Sequence, residues 1–288
     1  QNKFPVVVKA DGLALGKGVV ICQDLEEAKE AVHSIMEDKI FGASGNQVVV
    51  EEFITGPEVS VLSFTDGKTV VPMVSSKDHK RAYDGDRGLN TGGMGTISPN
   101  PHYSGEMARR CMKEIFQPTI DAMREEGRPF QGCLYFGLML TQDGPKVIEY
   151  NSRFGDPETQ VVLPRLKTDL VEILEACIDG TLKDLDIQWS DEAAACVVMA
   201  SGGYPKSYPK GIEIKGLDEN GQISGATVYH AGTVYRDGRF FTNGGRVLGV
   251  TACGAGLDEA LEKAYDAVER ISFDGAHYRK DIGKIGIQ

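Results

Sequence analysis

The sequence predicts an α+β protein, a two-lobed core followed by a small α+β domain at its C-terminal end. Three observations carry this. Strands are joined by glycine turns near residues 12, 67 and 144. Helical stretches fall between these hairpins. From about Asp191 the chain changes to short strands separated by glycines, then a helix. A length of 288 residues suffices for two domains, or for one large domain with a lobe attached.

The elements follow from local pattern. Residues 4–9 (FPVVVK) and 19–22 read as strands around a glycine-rich turn. Asp24 caps a helix over 24–37, with Leu25, Ala28, Val32, Ile35 and Met36 as its apolar stripe. Strands follow at 47–53, 58–65 and 70–75, the last two joined by Asp66-Gly67. Residues 76–104 crowd charge, glycine and proline without periodicity, and read as a long functional loop. A helix is expected over 106–126, strands over 132–140 and 146–151, and a helix over 169–179 ended by Gly180. Strands at 194–200, 227–235 and 246–253 and a helix at 257–270 complete the chain.

Composition narrows the function classes. Hydrophobic residues at 41% and charged residues at 25% match ordinary globular usage and exclude a disordered chain. The net charge of -11 weighs against nucleic acid as a partner but not against a nucleotide, which needs only local cations and backbone amides. Six cysteines stand singly, without zinc spacing, as expected of reduced thiols in a cytoplasmic protein. No apolar run is long enough to cross a membrane, and no signal peptide is visible. Gln1-Asn2-Lys3-Phe4 enters a strand at once without a Met, as expected of an internal fragment or a processed chain.

The stretch from Lys9 to Val19 fails as a P-loop. That motif needs four residues between its first glycine and the Gly-Lys pair, then Ser or Thr. Here three lie between Gly12 and Gly16-Lys17, Gly18 follows, and strands flank both sides. What remains is a hairpin flap. Bare amides at its tip can lie over phosphate oxygens, with Lys9 as a point charge; an ordinary flexible hairpin is the other reading.

Glu51, Glu52 and Phe53 end a strand, and Glu58 follows the Gly56-Pro57 turn. A carboxylate there could accept ribose hydroxyls while the strand-end backbone reads an adenine edge; a solvated acidic turn explains the same residues. Further on, Glu149, Asn151 and Arg153 are spaced by two, which puts them on one face of a strand together with Val147. Glu and Asn offer hard oxygen ligands of the kind magnesium prefers. Arg153 stands beyond them, suited to a transferring phosphoryl group. The alternative is the solvent face of an edge strand.

In order along the chain, PVVVKADGLALGKGVVI (5–21), VEEFITGPEVSVL (50–62), KDHKRAYDGDRGLNTGGMGTISP (77–99), GLMLTQDGPKVIEYNSRFGDPETQ (137–160), SGGYP (201–205) and NGGRVLGVTA (243–252) resemble the ATP-grasp enzymes. Within them, they resemble the phosphoribosylamine–glycine ligase family. The resemblance implies an ATP-grasp core that phosphorylates glycine and passes the glycyl group to phosphoribosylamine, in purine biosynthesis, with 1–62 as a small lobe truncated at its start, 63–190 as a large lobe carrying the metal site, and 191–288 as the C-terminal α+β domain. It implies ATP as co-substrate and magnesium or manganese as cofactor. It also implies small-molecule partners rather than nucleic acid or membrane, and a monomer.

By the same resemblance, Lys9, Gly12, Gly16, Lys17 and Gly18 hold phosphates, Glu51, Glu52 and Phe53 meet adenine, and Glu58 meets the ribose. Glu149 and Asn151 bind the metal, and Arg153 steadies the transferred phosphate. Asp84, Asn90, Thr91, Gly92 and Gly93 border the glycine and phosphoribosylamine sites. Two departures stand out. The strand YFGLML (135–140) carries no third metal carboxylate. The family's N-terminal domain and the first part of its ATP-grasp region are missing, which points to a fragment able to bind ATP without turning over. A formyl-transferring or carboxylating purine ATP-grasp enzyme, or a non-catalytic nucleotide binder, are the alternatives; SRFGDPETQ argues against the former.

Overall fold

A computed structural model describes residues 3–14 and 18–284. The chain divides into two compact units, Gln1–Gly56 and Pro57–Gln288. The first contains β1 (Val6–Ala10), β2 (Val19–Cys22), α1 (Leu25–Met36) and β3 (Val48–Glu52). Its strands form an antiparallel sheet in the order β2-β1-β3. Asp24 caps α1 as the sequence predicts, accepting the Glu26 and Glu27 N–H groups at 2.9 and 3.0 Å. Glu26 and Glu27 in the first turn complement the helix dipole. Ala31 and Ile35 then cover Val6, Val8 and Cys22 on one face of the sheet.

The second unit begins with β4 (Glu58–Asp66), β5 (Val70–Pro72), β6 (Lys77–Asp78), β7 (Arg81–Tyr83), β8 (Arg87–Asn90) and β9 (Gly95–Ser98). Next come α2 (Gly105–Cys111) and α3 (Gln117–Glu125), joined by one π turn at Met112–Phe116. Pro118 has no N–H for the Glu114 carbonyl, and the Gln117 N–H reaches back to Met112. Then follow β10 (Gln131–Thr141), β11 (Gly144–Asn151), α4 (Thr159–Val162) and α5 (Leu170–Asp179). The unit ends with β12 (Ala193–Ala200), β13 (Glu213–Ile214), β14 (Thr227–His230), β15 (Thr233–Arg236), β16 (Arg239–Thr242), β17 (Arg246–Gly254) and α6 (Leu257–Glu269).

The sheet β11-β10-β4-β5 is antiparallel and covered on both faces. Val59, Val61, Leu134, Phe136 and Leu138 meet Cys111, Phe116 and Ile120 on one side. Leu62, Phe64, Cys133 and Tyr135 meet Val161, Ile173 and Cys177 on the other. Two buried faces explain why β10 reads as an almost unbroken apolar run rather than an alternation. A boundary at 62 would fall inside β4.

The third core lies between α6 and the five-stranded sheet β14-β17-β12-β9-β6. This sheet joins residues 193–254 to residues 77–98 by backbone pairing. β12 is buried along its whole length, and β9 supplies backbone partners for the edge that β17 leaves open. The long loop expected over 76–104 therefore contains β6 to β9. The single strand expected over 227–235 is two, bent at Ala231-Gly232, with β14 in the five-stranded sheet and β15 in the sheet β13-β16-β15.

Candidate active site

In the first unit, the face of the sheet away from α1 carries Val7 and Lys9 on β1, Ile21 and Val19 on β2, and Glu51 and Val49 on β3, in register. Val19, Ile21 and Val49 are exposed. Lys9 Nζ lies 2.5 Å from Glu51 Oε2. The face thus combines exposed aliphatic surface with a cation and a carboxylate, a combination suited to a flat base and its phosphates. Phe53 is half-buried just beyond β3, next to Glu52. The flap differs in one respect from a tip of bare amides. The Gly12 N–H donates to the Ser44 carbonyl at 3.0 Å, and the Gly18 carbonyl accepts from Ala10 at 2.8 Å. Gly16 and Lys17 lie outside the described residues.

In the second unit, Glu149 pairs with Gly137 and Asn151 with Tyr135 across β10. Residues directly opposite in antiparallel strands share a face, so Glu149, Asn151 and Tyr135 point the same way. The Asn151 amide lies 3.4 Å from Glu149 Oε1. Val147 is not with them. The register shifts between Gly137 and Leu138, leaving Ile148 as an extra residue, and Val147 pairs with Leu138 on the opposite face. Arg153 is not on the strand either. β11 ends at Asn151, and the exposed Arg153 guanidinium donates to the Phe154 carbonyl at 2.8 Å.

Beside this face stands a charge cluster that sequence reasoning passed over. Lys80 Nζ lies 3.0 Å from Glu58 Oε2. Burial pulls the Lys80 ammonium pKa down, but the charges of Glu58, Asp78 and Glu149 more than reverse it, leaving it raised. Asp78 Oδ1 is shut off from solvent and has no hydrogen-bond partner among the described residues. Burial, then the Glu158 charge, pushes the Asp78 carboxyl well above the usual range. Glu158 is itself buried. It accepts from Ser60 Oγ at 3.3 Å, and Ser60 in turn lies 2.8 Å from the Tyr135 hydroxyl. Burial raises Glu158 as well.

The turn Thr91-Gly92-Gly93 closes this cluster. Thr91 donates its N–H and its hydroxyl to the Lys80 carbonyl, both at 2.8 Å. The Gly92 N–H donates to the Tyr204 hydroxyl at 3.2 Å. Arg246 donates to the Gly92 carbonyl at 2.8 Å and to the Asp156 carbonyl at 2.9 Å, and pairs with the Asp156 carboxylate at 3.1 Å. Gly93 has a left-handed backbone with φ 115°, and a Cβ there would collide with Asp78 Oδ1 and Pro157. Asn90 is exposed opposite Arg81. Asp84 does not face the cluster; its carboxylate accepts the Lys280 N–H at 2.8 Å.

Among the described residues no three His, Cys, Asp or Glu side chains gather to hold a metal. Glu149 and Asn151, oxygen donors on one solvent-open strand face, fit magnesium, which takes few protein ligands and completes its shell with phosphate and water.

A sequence model of the phosphoribosylglycinamide synthetase ATP-grasp (A) domain matches residues 1–159, and one of the phosphoribosylglycinamide synthetase C domain matches residues 194–285. The chain belongs to this family. The phosphoribosylamine–glycine ligase of Caldanaerobacter subterraneus subsp. tengcongensis is 51% identical over 282 residues, covering 98% of this chain and 67% of that protein. A crystal structure of phosphoribosylamine–glycine ligase from Thermotoga maritima gives a TM-score of 0.87 at 36% identity, over 96% of this chain and 68% of that one. The biotin carboxylase domain of 2-oxoglutarate carboxylase from Hydrogenobacter thermophilus, solved with MgADP, ADP and bicarbonate, gives 0.66 at 17% identity, over 96% and 59%. That likeness shows the fold alone. The chain thus spans about two thirds of the length of the synthetase relatives.

The family's A-domain segment contains Lys9, Glu51, Glu58, Asp78, Lys80, Gly93, Glu149 and Glu158, and its C-domain segment contains Tyr204 and Arg246. The ATP-grasp, α+β expectation is met. Asp78, Lys80, Glu158, Tyr204 and Arg246 carried a signal in the sequence, since each lies in or next to a stretch that bears the family resemblance.

Proposed function

We propose that this chain performs the ATP-dependent joining of glycine to 5-phosphoribosylamine, giving glycinamide ribonucleotide, ADP and phosphate in purine biosynthesis. A glycine carboxylate oxygen attacks the γ-phosphorus and ADP leaves. The amine of phosphoribosylamine then attacks the acyl carbon of glycyl phosphate, phosphate leaves, and the amine gives up a proton. Such phosphoryl transfer asks mainly for positioning and charge neutralisation. The observation that carries the reading is the Lys80 cluster, in which the ammonium bonds Glu58 and feels the charges of Asp78 and Glu149, while Thr91 holds the Lys80 carbonyl.

In this reading the Lys9 face of the first unit takes the nucleotide, and Glu58 reaches a ribose hydroxyl from its bond to Lys80. Glu149 and Asn151 hold magnesium or manganese, which when bound neutralises phosphate charge. Exposed Arg153 turns from Phe154 to the transferred phosphate. Buried Glu158 and the enclosed Oδ1 of half-buried Asp78 suit an amino group. The cysteines described are all free, which suits a reducing cytoplasm.

The test is ADP release. Release should require glycine, phosphoribosylamine and magnesium together. Robust release with another carboxylate and none with glycine would exclude the assignment. Binding of Mg-ATP with no turnover on adding both substrates would identify a nucleotide-binding fragment.

A further inference from the structure

Arg279 is the largest fully buried side chain of the described residues, although it carries a permanent charge. It stands in a segment, His277 to Gly283, that follows α6 and lies along the hairpin β7–β8. Its Nε and Nη2 fork onto Asp281 at 2.7 and 3.0 Å. Its Nη1 reaches Asp86 Oδ1 at 2.8 Å and the Arg81 carbonyl at 3.2 Å. Four bonds from five donors leave the guanidinium nearly satisfied, in the planar, bidentate geometry that lysine cannot copy.

The same segment grips the hairpin all along its length. His277 Nε2 donates to the Ala82 carbonyl at 2.7 Å, and its ring lies against Tyr83 at 5.1 Å between centroids. The Lys280 N–H donates to Asp84, and Asp281 Oδ2 accepts the Gly85 N–H at 2.7 Å. The Gly283 N–H donates to His79 Nε2 at 3.1 Å. At the open end of this hairpin stand Asp78 and Lys80 on one arm and Thr91 to Gly93 on the other, joined through the Lys80 carbonyl. Those are the groups of the charge cluster. Among the described residues, the tip of the hairpin, by contrast, bonds to the C-terminal segment and its own turn.

We infer that Arg279 is a positioning residue for the ligase reaction: acting through Arg81 and Asp86, it fixes the hairpin whose open end sets Asp78, Lys80 and Gly93 in the substrate site. The inference rests on the function proposed above. It gives the C domain a part in the chemistry that touches no reacting atom. A buried ion pair is poor support for stability compared with apolar packing, whereas its geometry is well suited to fixing one arrangement of two segments.

Arg279→Lys and Asp86→Asn test it in the active protein. Asp86 lies at the solvent side of the guanidinium and has a left-handed backbone, φ 51°, that Asn tolerates, so this variant keeps the fold even where Arg279→Lys does not. A displacement of about 1 Å far from the chemistry can cost about 100-fold in rate. The expected result is a loss of about 10- to 100-fold in kcat/KM for glycine and phosphoribosylamine. KM for Mg-ATP should change less, since of these groups only Lys80 touches the proposed nucleotide site, through Glu58, and amides 81–90 should exchange hydrogen faster. Unchanged kcat/KM in Asp86→Asn would overturn the inference, as would an equal loss for all three substrates that tracks thermal unfolding. Wild-type protein that releases ADP without needing glycine would instead defeat the function proposed above.

Discussion

Lys80 holds Glu58, with 3.0 Å between its Nζ and the nearer carboxylate oxygen. In the proposed site a ribose hydroxyl would meet a carboxylate whose charge is already partly answered. Removing the ammonium takes away the cation that Glu58, Asp78 and Glu149 share. In Lys80→Met, ADP release should fall at least about tenfold, and the folded state should lose about 1 kcal/mol, the upper end for an exposed pair, because both side chains are partly open to solvent. Urea denaturation and a coupled ADP assay check both. Full activity in the variant would remove Lys80 from the site.

In the proposed metal site Glu149 has little help. The preceding strand offers no acid, and Asn151 is its one neighbour of suitable chemistry on that face. Glu149→Ala should still bind ATP, but the half-saturating magnesium concentration should rise by about tenfold or more. Titration of magnesium at fixed ATP measures it. An unmoved midpoint removes Glu149 from the metal site.

What the sequence disclosed was local. Asp24 as a cap, Gly180 as a left-handed stop and the apolar run of β10 all depend on neighbours within a few residues, and each stands where expected. What it hid was non-local. The strand Gly95–Ser98 finds its partner at Ala194–Val197, about a hundred residues away, so its pattern resembles a loop. The bulge at Ile148 leaves no mark in composition, yet it moves Val147 to the other face. Asp78 and Lys80 look like two more loop charges until the Lys80–Glu58 pair and the enclosed Asp78 Oδ1 distinguish them. Asp84, in the same stretch, turns away to Lys280.

Gly93 separates strain from chemistry. A Cβ at this position would press on Asp78 and Pro157, and φ there suits glycine alone. Gly93→Ala should cost about 1–3 kcal/mol and displace Asp78, abolishing turnover. Gly180→Ala is the control. It shares the left-handed backbone, but its Cβ would meet open space, so it should cost about 1 kcal/mol and leave kcat intact. Equal activity in the two variants would show that Gly93 matters only as a turn.

His79 gives the fold a pH dependence. Its ring is buried, its Nδ1–H donates to the Gly95 carbonyl at 3.0 Å, and its Nε2 accepts the Gly283 N–H, so it is held neutral. Burial pushes its pKa from 6.5 down to about 4. Between those values the unfolded chain binds the proton that the folded chain refuses. Stability from this group is therefore complete above about pH 6.5 and is lost as pH falls toward 4, by about 3 kcal/mol. His79→Gln can keep one donor and one acceptor without titrating. Unfolding free energies measured from pH 7 to 4 should fall less steeply for the variant than for the wild type by that amount, and parallel curves would mean that His79 is not the group responsible.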